Sequence, residues 1–190
     1  CVAFKADRGY DLLAGGTGPA QGIFLWDNRT GTPVISLVSK DSLGIAASSA
    51  SNPRISDDCR FVAYESNDEY LSDTDTNGKT DVFLYDTSVA TTDLVSSLAN
   101  GNSADGNSSV AALDWNPPTK SGVVLITSSA SNIGGATGGG SVNLYSVPFT
   151  VASVAGAPTI GTVTASAGKL TVAFSAGSSN GGASITNYEY

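Results

Sequence analysis

Phe61-Val62-Ala63-Tyr64-Glu65-Ser66, then a polar loop, then Asp81-Val82-Phe83-Leu84-Tyr85-Asp86 is the stretch on which the reading of this chain turns. Val2-Ala3-Phe4 leads in the same way to Gly22-Ile23-Phe24-Leu25-Trp26-Asp27, and Val123-Val124-Leu125-Ile126 leads to Val142-Asn143-Leu144-Tyr145. The phrase is written twice and echoed a third time with a period of about sixty residues. Such a period belongs to stacked supersecondary units, each burying its apolar surface against the next.

Each unit reads as several short strands, so the repeat predicts an all-β chain built of β-propeller blades. In the first unit, Cys1 to about Ser51, strands are expected at Val2–Lys5, Gly22–Asp27 and Pro33–Ser39, with Asn28-Arg29-Thr30-Gly31 turning between the last two. In the second, Pro53-Arg54-Ile55-Ser56 leads in and Asp57-Asp58-Cys59 turns. Strands follow at Arg60–Ser66, Asp81–Asp86 and Thr92–Ser96. The third has Val110–Trp115, Gly122–Thr127 and Ser141–Val147, with a Gly-, Ala- and Thr-rich loop at Gly134–Gly140 that is expected to be mobile. No segment keeps a capped 3.6-residue period, so almost no helix is expected. The aromatic positions Phe24, Trp26, Phe83, Tyr85 and Tyr145 are expected to pack between blades.

At Ala155-Gly156-Ala157-Pro158 the texture changes, and Pro and Gly mark a linker. Strands follow at Thr159–Ala165, Lys169–Ser175 and Ile185–Tyr190. The expected organisation is a propeller section over 1–154, a linker over 155–158 and a second β domain beginning at 159.

Composition narrows the function classes. The net charge is −8 with only 9 Lys and Arg, which disfavours nucleic acid and anionic membranes because phosphates need cationic partners. Charged residues make up 14% of the chain, and a Ser-, Thr- and Gly-rich surface suits a secreted β protein. No apolar run approaches the roughly 18 residues of a membrane span. The chain holds no His, so Ser-His-Asp and Cys-His catalysis have no base within it and zinc has few ligands. Asp57, Asp58, Glu65 and Asp86 are carboxylates that a glycoside hydrolase would need in pairs, but they read as turn and strand-end residues. The chain is expected not to be an enzyme.

Cys1 and Cys59 are the two cysteines. A lipidated first residue is one reading of Cys1, but the repeat aligns it with Phe61 inside a strand, and no polar tether follows. The chain is therefore expected to be a section of a larger protein with further blades before Cys1. Pairing with Cys59 is open, but equivalent strand edges of neighbouring units often lie beyond disulfide reach, which weighs against a bond.

Ile55-Ser56-Asp57-Asp58-Cys59-Arg60-Phe61-Val62-Ala63-Tyr64-Glu65-Ser66 and Asp75-Thr76-Asn77-Gly78-Lys79-Thr80-Asp81-Val82-Phe83-Leu84-Tyr85-Asp86 resemble the TolB-type propeller repeats of bacterial extracytoplasmic proteins. That family usually has Gly where Cys59 stands, so the tightness of this turn is in question. Pro158-Thr159-Ile160-Gly161, Gly168-Lys169-Leu170-Thr171-Val172-Ala173-Phe174 and Asn180-Gly181-Gly182-Ala183-Ser184-Ile185-Thr186-Asn187-Tyr188-Glu189-Tyr190 look like the first three strands of a fibronectin type III domain. Such a domain takes about seven strands, so this is a partial one. About three blades are likewise an incomplete ring, since closure takes about four to eight.

One loop has metal-ligand spacing: Asp73-Thr74-Asp75-Thr76-Asn77-Gly78-Lys79-Thr80-Asp81. Asp73, Asp75 and Asn77 alternate, Gly78 permits a bend, the Lys79 carbonyl adds an oxygen and Asp81 closes the set. Ca²⁺ asks for such hard oxygens on a tightly turned loop. The pattern is similar to the calcium loops of integrin-type propellers. Asp, Asn and Gly also make plain solvated turns, but this many clustered oxygen side chains would repel one another without a cation. The expectation is one Ca²⁺ site at Asp73, Asp75, Asn77, Lys79 and Asp81.

The resulting functional expectation is a non-catalytic extracellular or cell-surface module of a larger bacterial protein, with protein or glycan partners on the propeller face. Self-association, or assembly with the rest of a longer chain, is also expected. The alternative is an accessory propeller of a secreted peptidase or polysaccharide-degrading enzyme, with the catalytic residues elsewhere. Fold alone does not choose between them.

Overall fold

The computed structural model describes residues 1–7, 12–13, 19, 21–133, 142–151 and 158–175. Within these the chain is all-β: twelve strands in four antiparallel sheets, with a single 3-10 turn at Glu69–Leu71. The first sheet has the order β1(Val2–Ala6)-β2(Gly22–Asp27)-β3(Val34–Leu37), and the second β4(Ser51–Ile55)-β5(Phe61–Ser66)-β6(Asp81–Asp86)-β7(Thr91–Leu94). The third is β8(Ser108–Asn116)-β9(Ser121–Ser128)-β10(Asn143–Thr150), and β11(Thr159–Ser166) pairs with β12(Lys169–Ser175) as a separate hairpin. In the first three sheets chain neighbours are sheet neighbours, so each is an up-and-down meander. The strand expected at Ile185–Tyr190 and the loop Gly134–Gly140 lie outside the described residues.

Alternation along the strands explains how the sheets stack. In β5 and β6 every residue is buried. Val62, Tyr64, Phe83 and Tyr85 point to one side and join Ile23, Leu25 and Val38 of the first sheet's region in one apolar cluster. Phe61, Ala63, Val82 and Leu84 point to the other and join Val110, Trp115, Val124 and Ile126 of the third sheet. Because side chains alternate across a strand, only a sheet covered on both faces buries every residue of a strand. β9 shows the contrasting case, with alternate residues buried and half-buried. Its even-numbered residues face the second sheet.

The turn between β4 and β5 joins the first three sheets. Cys59 adopts φ +66 and its N–H donates to Ser56 O at 2.9 Å, so the turn is tight although the residue in this left-handed position is not Gly. Cys59 is bonded to Cys1 with a Cα–Cα distance of 6.1 Å, which corrects the expectation against pairing. Cys59 lies on the turn rather than on a strand edge, and its left-handed backbone carries the side chain toward the start of β1. Arg29, on the β2–β3 turn, donates to the Asp58 carbonyl. From the third sheet, Trp115 Nε1 donates to Asp58 Oδ2 at 2.9 Å.

β4 was not expected as a strand, because Pro53 and Arg54 read as a lead-in. A bulge between Ser51 and Arg54, with Asn52 at φ 51, lets the strand carry Pro53 while Arg54 and Ile55 stay in register with Ala63 and Val62. Among the described residues no helix is long and apolar enough to cross a membrane.

Candidate cation site in the loop before β6

The 73–81 loop leaves the 3-10 turn and delivers its last residue, Asp81, to the first position of β6. Asp73 is exposed on the turn, whereas Asp75 and Asp81 are buried. Gly78 takes φ +61, the bend that the sequence placed there. Asp81 Oδ2 accepts from Asn77 Nδ2 at 2.9 Å, and Oδ1 accepts from Ser96 Oγ. The same Asn77 amide nitrogen donates to Ala104 O at 2.6 Å. Asn77 Oδ1 accepts from the Lys79 backbone N–H, while the Lys79 side chain is exposed. Asn77 thus turns its nitrogen, not its oxygen, toward Asp81.

Asp75 is less well provided for. Its Oδ1 accepts a long bond from Asn77 N at 3.5 Å, and its Oδ2 is buried with no hydrogen-bond partner. Burial raises the Asp75 pKa against the Asn77 N–H and the Ser103 hydroxyl, which lower it, and the carboxylates of Glu69 and Asp68 push it in the same direction as burial. Burial likewise pushes Asp81 up to about 6, with Asp75 adding to the shift against the hydrogen bonds from Ser96 and Asn77. Glu69 lies over the loop, its Oε1 3.5 Å from where a Cβ on Gly78 would stand. The loop therefore gathers Asp75, Asn77 and Asp81, and leaves Asp73 and the Lys79 side chain in solvent. Among the described residues, no three His, Cys, Asp or Glu side chains meet as a metal cluster.

The carboxylates weighed for glycoside hydrolysis separate into two places. Asp86 holds Arg60 through both oxygens, at 3.1 Å from Nε to Oδ1 and 2.8 Å from Nη2 to Oδ2. The guanidinium also lies 5.0 Å from the Phe61 ring centroid and 5.6 Å from that of Trp115. Burial raises the Asp86 pKa, but Arg60 and Ser88 outweigh it and hold the carboxyl below its ordinary value. Asp58, near Arg60, is lowered too, because bonds from Ser56, the Arg60 N–H and Trp115 overcome its burial. Asp57 is exposed. Glu65 is at the far end of β5, four register positions from the Phe61–Asp86 pair. That is about 13 Å of strand, beyond the roughly 6.5–9.5 Å of an inverting pair.

Glu65 instead accepts from Asn52 Nδ2 at 2.6 Å and from Val110 N at 2.9 Å. It clasps β5 to the first residues of β8. Sequence reasoning missed this clasp; the only signal was a carboxylate amid the apolar residues of β5, a strand with no place for an unpaired charge.

No protein-family model, curated protein or solved structure matches this chain.

Proposed function

We propose that residues 1–154 form a section of a β-propeller of the TolB-like kind, and that the β11–β12 hairpin opens a fibronectin type III domain. The module is non-catalytic and extracellular or surface-borne, and it offers a protein- or glycan-binding face within a larger assembly. The observation that carries the reading is the two-sided burial of the middle meander between two meanders of the same strand order. Radially repeated sheets stacked face on face are how propellers bury apolar surface. The Cys1–Cys59 bond supports an oxidising compartment. Asp58 and Asp86 are fully engaged with Arg60, Ser and Trp donors, which favours a structural over a catalytic role for them.

We further propose that Ca²⁺ binds the 73–81 loop, with Asp75 and Asp81 as its anionic ligands and Asp73, Asn77 and the Lys79 carbonyl about them. The support is the buried, unbonded Asp75 Oδ2 beside a second buried carboxylate. Two such groups are costly without a counter-charge.

Beads coated with residues 1–190 test the functional reading when passed over immobilised glycans and surface proteins. Retention without cleavage of the ligand is the expected result. Turnover of peptide or glycan by the purified chain would contradict it.

A further inference from the structure

The 73–81 loop is tied to chain that lies beyond β7. Ser103 N–H donates to Thr74 O at 3.1 Å, and Ser108 N–H, at the start of β8, donates to Thr80 O at 2.7 Å. Thr80 N–H donates in turn to Asn107 Oδ1 at 3.0 Å, and Thr76 N–H to Ser103 Oγ at 3.4 Å. The loop therefore holds the connection between β7 and β8, and with it the entry to the third sheet. In the middle of this seam stands Asn77 Nδ2, 2.9 Å from Asp81 Oδ2 and 2.6 Å from Ala104 O.

The first repeat makes a corresponding joint without a charge. Ile23 N–H donates to Ser39 Oγ as Val82 N–H does to Ser96 Oγ, each at 2.9 Å. Ala47 N–H donates to Ser39 O as Ala104 N–H does to Ser96 O. Where the second repeat has Asp81 the first has Gly22, and the Gln21 side-chain nitrogen donates to the Ser48 carbonyl. A neutral amide is thus enough to make the joint. Asp75 and Asp81 are additions to it, 3% and 0% exposed, and Asp75 Oδ2 has no hydrogen-bond partner. A buried carboxylate oxygen left in that state calls for a cation.

We infer that the Ca²⁺ proposed for this loop is a clamp across the seam, with the Ala104 carbonyl as a ligand from outside the loop. The cation takes the place that the Asn77 amide nitrogen holds between Asp81 Oδ2 and Ala104 O. From that place both oxygens lie within a few tenths of an ångström of the roughly 2.3–2.6 Å of a Ca²⁺–oxygen bond. Binding then fastens the third sheet to the second as well as ordering one loop. This inference rests on the Ca²⁺ reading above, which supplies the ion.

Calorimetric Ca²⁺ titration and amide exchange on residues 1–190 test it together. With about a hundredfold excess of Ca²⁺ over Kd, any opening that releases the ion is suppressed by about a hundredfold. The Ser103 and Ser108 amides should therefore slow by about as much as that of Thr80 within the loop. Asn77→Ala removes the amide that now joins the two oxygens. In EDTA its Ser103 and Ser108 amides should exchange several-fold faster than in the wild type, and saturating Ca²⁺ should return them to the Ca²⁺-loaded wild-type rate. In Asp75→Asn, Ca²⁺ should slow none of these amides. Heat of binding with slowing confined to the loop, or an Asn77→Ala connection that saturating Ca²⁺ leaves loose, would overturn the clamp and leave the site. No heat and no slowing anywhere would remove the site itself, and the clamp with it.

Discussion

Cys59 does two jobs that pull against each other. Its φ of +66 is the backbone that Gly takes at no steric cost, and an L side chain there costs roughly 1–2 kcal/mol. The bond to Cys1 closes a loop with a sequence separation of 58, and in the chain-entropy account a loop of that order is worth about 4 kcal/mol. The crosslink outweighs the backbone cost. Replacing Cys1 and Cys59 by Ser should lower stability in urea titrations by a few kcal/mol. The pair Cys1→Ser, Cys59→Gly should recover about 1 kcal/mol of that loss, because Gly relieves the turn. Equal stability of the two double variants would show that the turn bears no backbone cost.

Asp75 is the residue on which the Ca²⁺ proposal stands. With about a hundredfold excess of Ca²⁺ over Kd, the melting temperature should rise by about 5 °C or more, and EDTA should reverse the rise. Asp75→Asn should abolish that response, and in EDTA it should melt no lower than the wild type because a buried charge has been removed. An unchanged melting curve with Ca²⁺ and with EDTA would leave an ordinary turn.

Among elements, the packing of β9 against β10 leaves least room. A Cβ on Gly122 would stand 2.4 Å from the Phe149 ring and 2.7 Å from Asp114 O. That ring stacks on Trp115 at 5.6 Å and meets Phe61 edge-on at 5.0 Å. Gly122→Ala should therefore cost about 1–3 kcal/mol by chemical denaturation despite the better strand propensity of Ala. No loss would mean that the aromatic stack shifts freely.

The Arg60–Asp86 pair ties the start of β5 to the end of β6. Asp86 has a folded pKa below its ordinary 3.8, so its contribution is fully present above that value and is lost as pH falls through the folded one. Asp86→Asn should cost about 1–2 kcal/mol at pH 7, with Arg60 a quarter exposed and the pair screened accordingly. The loss should shrink toward zero as pH falls through the folded pKa of Asp86. A cost that is constant with pH would assign the effect to packing instead.

Much of this was legible at the element scale. Alternation alone places Gly22–Asp27, Asp81–Asp86 and Lys169–Ser175 with the boundaries they have. β4 was not, because a Pro argues against a strand unless a bulge is known to accommodate it. The candidate loop was legible as oxygen-rich spacing. Which of its members turn inward depends on Ser96 and Ala104, contributed by chain beyond β7, and spacing cannot display that. The Glu65 clasp and the Cys1–Cys59 bond were hidden for the same reason: both join different sheets.

For the whole molecule, the account rests on the middle sheet being covered on both faces by different neighbours. The same alternation that specifies this stack leaves Trp26 at one end and Leu144 at the other with apolar surface in solvent. Side-chain NMR on methyl-labelled protein tests the stack most directly. Ile23 and Leu25 methyls should show through-space contacts to the face carrying Val62, Tyr64, Phe83 and Tyr85. Val124 and Ile126 methyls should show them to the face carrying Phe61, Ala63, Val82 and Leu84, with none joining the first sheet to the third. Direct contacts between Ile23 or Leu25 and Val124 or Ile126 would contradict the stacked arrangement.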